Sequence, residues 1–162
     1  MTGRRTLVFL AVAGALLHAP VAAADAPQFP DLAQYQADPP DQYLRGGLTQ
    51  FRTPDGLLCR IDKGIRPLVW CYGPLPAVPQ GVNAVANSSF KHWGFLPDNA
   101  DKNAPVLPPM HSITVLGSQT TSTCVVGEGG LTACRGILTG TSGSSDEDGF
   151  TLSPQGSGVW SR

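Results

Sequence analysis

Residues 57–73 read LLCRIDKGIRPLVWCYG. Cys59 and Cys71 flank a Lys63-Gly64-Ile65-Arg66-Pro67 break, which no regular element crosses easily because Pro lacks an amide proton and Gly has no side chain to pack. Folding the stretch about Ile65 sets Cys59 opposite Cys71 and Ile61 opposite Val69. Side chains of a strand alternate between its faces, so these four residues share one face and that face is apolar. Arg60, Asp62, Leu68 and Trp70 fall on the other. A hairpin with one apolar face is a sheet element lying on a core.

The other two cysteines behave alike. CVVGEGGLTAC (124–134), folded about Gly129, sets Cys124 opposite Cys134, Val125 opposite Ala133 and Val126 opposite Thr132. The loop is Glu128-Gly129-Gly130, and glycine takes the positive φ that short hairpin loops demand. Directly opposed cysteines on antiparallel strands bring their Cβ atoms near disulfide reach. Four cysteines permit three pairings; hairpin geometry favours Cys59–Cys71 with Cys124–Cys134. Each closed loop of this size stabilises by a little under ~3 kcal/mol on the chain-entropy model. Zinc knuckles place cysteines two to four residues apart and redox dithiols use Cys-x-x-Cys; neither spacing occurs, so no metal and no cofactor is expected.

Outside the cysteine blocks, 19 Gly and 15 Pro among 162 residues disfavour long helices. The expected fold is all-β: a small disulfide-stapled sandwich or partly open barrel with long irregular loops. Thr53-Pro54-Asp55-Gly56 is a strong β-turn signal, GPLPAVPQG (73–81) reads as a rigid crossover, 82–86 as a short strand and 112–117 as a β-branched strand. Residues 97–109 and the polar run 139–149 read as loops.

The first 24 residues have the pattern of a signal peptide: Arg4-Arg5, an apolar stretch from Leu7 to Leu17, Pro20, then Ala22-Ala23-Ala24, with cleavage expected between Ala24 and Asp25. The apolar stretch falls short of the about 20 residues that span a bilayer. Residues 25–47 read as an extended N-terminal arm and 48–162 as a single β-rich domain. Removing Arg4 and Arg5 from eleven basic residues, against twelve acidic ones, leaves a formal charge of −3. That balance excludes nucleic acid as a partner, because such binding requires a concentrated basic surface. No stable membrane span is expected after cleavage. An even number of cysteines after an export signal is a disulfide framework.

Catalytic patterns are sparse. No nucleophile elbow with its strand–turn–helix context is visible. His92 and His111, the two histidines beyond the signal segment, are each possible general bases, although half-buried structural histidines are the plainer reading. Asp146, Glu147 and Asp148 lack calcium-loop spacing. Trp70, Tyr72, His92 and Trp93 are the candidate ligand contacts, since Trp and Tyr combine a large apolar area with a polar handle; the competing role for them is core packing.

The blocks FPDLAQYQ (29–36), FRTPDGLLC (51–59), CYGPLPAVPQGVNAV (71–85), LPPMHSITV (107–115), TSTCVVGEGGLTAC (121–134) and GFTLSPQGSGVW (149–160) resemble the small exported four-cysteine proteins of mycobacteria and related actinobacteria. The resemblance covers most of 29–160. It implies a cell-envelope or extracellular location and supplies no catalytic residue. The resulting expectation is an exported, non-enzymatic protein that binds an envelope component or a secreted protein. Two alternatives stand beside it. An inhibitor of a secreted lysozyme or protease would insert 97–109 or 139–149 into an active-site cleft. A small hydrolase would join His92 or His111 to a serine and a carboxylate.

Overall fold

The computed structural model describes residues 28–66, 68–97, 99–139 and 145–162. The expected signal segment and its expected cleavage point, Ala24–Asp25, lie outside the described residues.

Among the described residues, twelve strands form two six-stranded sheets that are not closed into a barrel. The N-terminal sheet has the order β2 (Leu44–Arg45), β3 (Leu48–Arg52), β4 (Leu58–Asp62), β5 (Leu68–Tyr72), β6 (Ala84–Ala86), β7 (Ser89–Lys91), every neighbour antiparallel. The C-terminal sheet has the order β1 (Gln36–Asp38), β8 (His111–Leu116), β9 (Thr120–Val126), β10 (Thr132–Thr139), β11 (Ser145–Leu152), β12 (Gly158–Ser161). Only β1 runs parallel to its neighbour, β8. Helical structure among the described residues is limited to three single turns of 3-10 type.

The cysteine hairpins set the register. Cys59 pairs with Cys71, Ile61 with Val69 and Arg60 with Trp70 across β4 and β5; Cys124 pairs with Cys134 and Val126 with Thr132 across β9 and β10. Both pairs are disulfides, with Cα atoms 4.0 and 4.1 Å apart, and no cysteine is free. The inner faces meet in one core: Phe51, Ile61, Val69, Val85 and the first disulfide from one sheet, Ile113, Val115, Val126, Phe150, Leu152 and the second from the other. Alternation along each strand supplies these residues, as a two-layer sandwich requires.

Residues 28–47 contribute an edge strand to each sheet, β1 to one and β2 to the other, and Tyr43 between them is buried in the core. Further towards the N-terminus, Phe29 lies under the Arg135 guanidinium on the outer face of the C-terminal sheet, and Thr151 Oγ1 donates to the Gln28 carbonyl.

One loop reading needs correction, and one strand is added. Residues 139–149 are not one polar loop: β11 begins at Ser145, and Asp146, Glu147 and Asp148 pair with Leu138, Ile137 and Gly136. The Cys134–Phe150 pairing extends the ladder outward, and backbone pairing is indifferent to acidic side chains at an exposed hairpin end. Asp148 is also paired on its other side, with Ser161 of β12. The region after 86 holds a further strand: Asn87 adopts φ +46 and closes a two-residue turn between β6 and β7, a conformation that Asn tolerates better than most residues.

Candidate functional site

The outer face of the N-terminal sheet carries Arg52 on β3, Leu58 and Arg60 on β4, and Trp70 and Tyr72 on β5, all opposite in parity to the core residues. The segment after β7 folds back over this face as a strap, burying a second apolar cluster: Leu58, Trp70 and Ala104, with Tyr72, Ala86, Trp93, Leu96 and Ala100 packed against them. The strap is tied at each end. Asn83 donates its Nδ2 to the Trp93 carbonyl at 2.9 Å and accepts the Trp93 amide on Oδ1 at 2.8 Å. Gln50, 1% exposed, donates to the Asn99 carbonyl and accepts the Asp101 amide. Arg52 Nε donates to the Ala104 carbonyl at 3.0 Å, and Arg60 reaches Asn99 Oδ1. Ties at this many points hold the loop in place, and the two bonds to the strap spare the buried Gln50 amide its desolvation cost.

This anchoring orients the aromatic residues. Trp93 meets Trp70 edge-on, with centroids 5.2 Å apart and planes at 72°, and stacks on Tyr72 at 6.2 Å and 13°. Arg60 lies 5.1 Å from the Trp70 ring centroid and pairs with Asp62, its NH2 donating at 2.7 Å. Of the four candidate contacts read from the sequence, the structure therefore joins Trp70, Tyr72 and Trp93. Trp70 is buried at the base; Tyr72 and Trp93 are half-buried. His92 stands outside the stack, exposed, with Nδ1 2.6 Å from the Gly81 carbonyl oxygen.

Two pockets open beside the stack. One, about 420 Å³, is lined by Arg52, Leu58, Tyr72, Pro74, Leu96 and Lys102, with the Gly56 and Gly73 backbones completing its wall. Gly73 has φ +138, a backbone conformation that L side chains rarely adopt, and a Cβ there would touch Leu57 and the Gly56 carbonyl at 3.3–3.4 Å. The other, about 320 Å³, is lined by His92, Trp93, Gly94, Phe95 and Pro97, and Phe95 is 79% exposed. Such volumes lie in the ~300–1,000 Å³ range of small-molecule sites. Arg52 and Lys102 were not marked by the sequence. Arg52 shares the outward parity of Gln50 in LTQFR, a signal available once the Thr53–Gly56 turn is placed; Lys102 is brought in by the strap alone.

Among the described residues, neither histidine is joined to a nucleophile. His111 Nδ1 lies 2.9 Å from Asp38 Oδ1, and the Tyr43 hydroxyl donates to Asp38 Oδ2 at 2.6 Å. Burial, then the hydrogen bond to Asp38 and its negative charge, push the Tyr43 phenol well above its ordinary range. Neither histidine is hydrogen-bonded to a serine among the described residues, and the described part of 97–109 is folded onto the sheet. No cluster of three or more His, Cys, Asp or Glu able to hold a metal occurs among the described residues, nor is any described helix long and apolar enough to cross a membrane. No family model, no curated protein and no solved structure matches the chain.

Proposed function

We propose that this chain is an exported, non-enzymatic binding protein of the cell envelope or extracellular space, and that it binds through the outer face of its N-terminal sheet. The observation that carries the reading is the Tyr72–Trp93 stack, held at the edge of two pockets by a strap whose backbone is pinned on both sides of Trp93. Aromatic rings fixed in advance lose little entropy on contact with a ligand. Export is supported by the signal-like N-terminus and by two disulfides, bonds that persist in oxidising compartments.

The test is co-sedimentation of the 25–162 protein with purified actinobacterial cell wall at low and high salt. Salt-resistant pelleting that Trp93→Ala abolishes is the expected result. Retention of the folded protein in the supernatant at both salt concentrations refutes the envelope reading and turns the search to secreted proteins.

A further inference from the structure

The pocket beside Tyr72 has a definite chemical character. Its floor is apolar: Leu58, Leu96, Pro74 and the Tyr72 ring. Its two charged lining residues are both cationic, Arg52 and Lys102, and no carboxylate lines it. Arg52 commits its Nε to the Ala104 carbonyl. Neither Arg52 nor Lys102 enters an ion pair among the described residues; the pairs formed nearby are Arg45 with Asp101 and Arg60 with Asp62. The rim leaves two exposed cations without a countercharge in the lining, and the floor leaves apolar surface open to water. Both costs fall when an anion with an apolar body enters.

We propose that this pocket binds a single-chain organic anion, its charged head between Arg52 and Lys102 and its hydrocarbon body on Leu58, Leu96 and Tyr72. The inference rests on the reading of the outer face as a binding surface and adds the ligand's chemistry. Head and body have separate recognition elements, so a neutral chain of equal length loses the first and keeps the second.

Decanoate and decanol are the probes, titrated calorimetrically into the folded protein below their aggregation limits. Decanoate is expected to bind more tightly than decanol, and added salt to weaken decanoate alone. Lys102 is exposed and has no hydrogen bond or ion pair among the described residues, so Lys102→Gln and Lys102→Glu serve as variants. Decanoate affinity is expected to fall about fivefold in the first and about twentyfold in the second, in keeping with the modest strength of exposed charge pairs; decanol affinity is expected to stay unchanged. Arg52→Gln is a poorer choice because it also releases the strap. Equal affinity for decanoate and decanol, no binding of either, or no response to Lys102→Glu each overturns the proposal. Protein that pellets with cell wall yet ignores decanoate keeps the broader reading and loses this site. Decanoate binding by protein that leaves the wall in the supernatant supports the site and refutes the envelope reading.

Discussion

Replacing Gly149 by alanine puts a methyl group where the structure has no room for one. An ideal Cβ at Gly149 would stand 2.3 Å from Trp160 Cζ2, 2.6 Å from Cε2 and 2.7 Å from the Cys134 carbonyl oxygen. Gly149 and Trp160 face each other across β11 and β12, and the indole lies over the glycine with Nε1 donating to Glu147 at 3.2 Å. The indole can swing away, at the cost of that hydrogen bond, about 1 kcal/mol. The Cys134 carbonyl cannot, because β10 is paired on both sides. Overpacking of this kind costs about 1–3 kcal/mol, and the reduced freedom of the unfolded alanine chain returns about 0.4–1 kcal/mol. The expected net loss is about 1–3.5 kcal/mol, read as a lower midpoint in urea unfolding followed by tryptophan fluorescence. Measuring Gly149→Ala again in a Trp160→Ala background separates the two contacts: the loss should shrink without vanishing, since the backbone clash remains. A Gly149→Ala protein within 0.5 kcal/mol of the parent, or one whose loss disappears altogether without Trp160, would refute the reasoning.

Replacing both Cys124 and Cys134 by alanine should lower stability by about 2–4 kcal/mol while the β-sheet circular dichroism persists, and reduction of the parent should be the more damaging because it opens both loops. Tyr43→Phe removes the donor to Asp38 and should cost about 1.5–3 kcal/mol at neutral pH, the range for a hydrogen bond to a charged group. The same variant carries a pH signature. The Tyr43 phenol holds its proton more tightly folded than unfolded, so its contribution is complete below about pH 10, where a free tyrosine titrates, and declines above it; parent and variant stability curves should converge as pH rises past that point, and parallel curves would contradict the assignment. Asn83→Ala removes both bonds to the Trp93 backbone and should shift the near-ultraviolet circular dichroism of the Trp70–Tyr72–Trp93 cluster, with a loss of about 1–3 kcal/mol.

The two cysteine hairpins were legible in the sequence because each is local and nearly symmetric about its turn: alternation around Ile65 and around Gly129 leads directly to the pairings observed. The all-β class followed from the same blocks and from the density of Gly and Pro. What escaped was non-local or carried by weak local signals. Asn87-Ser88 lacks the glycine that marks a two-residue hairpin, so β7 was not read. The acidic start of β11 looks like solvent-facing loop until the Cys134–Phe150 register is known. The parallel pairing of Gln36–Asp38 with His111–Ile113 joins segments more than seventy residues apart, and no spacing rule reaches that far. Of the candidate contacts Trp70, Tyr72, His92 and Trp93, the structure packs three together, Trp93 edge-on to Trp70 and stacked on Tyr72, and leaves His92 outside. Their cationic neighbours Arg52 and Lys102 meet only because the strap crosses the sheet, an event decided by Asn83, Gln50 and Arg60 together.

Both disulfides join cysteines that are consecutive along the chain, 59 to 71 and then 124 to 134. For a chain that meets its oxidant from the N-terminal end, the first bond can close before the third thiol arrives. Linking thiols in order of appearance then yields the native set, and no reshuffling is needed. Such a protein asks for an oxidase and makes no demand on an isomerase. The crossed pairings remain accessible only if oxidation lags until all four thiols are present together.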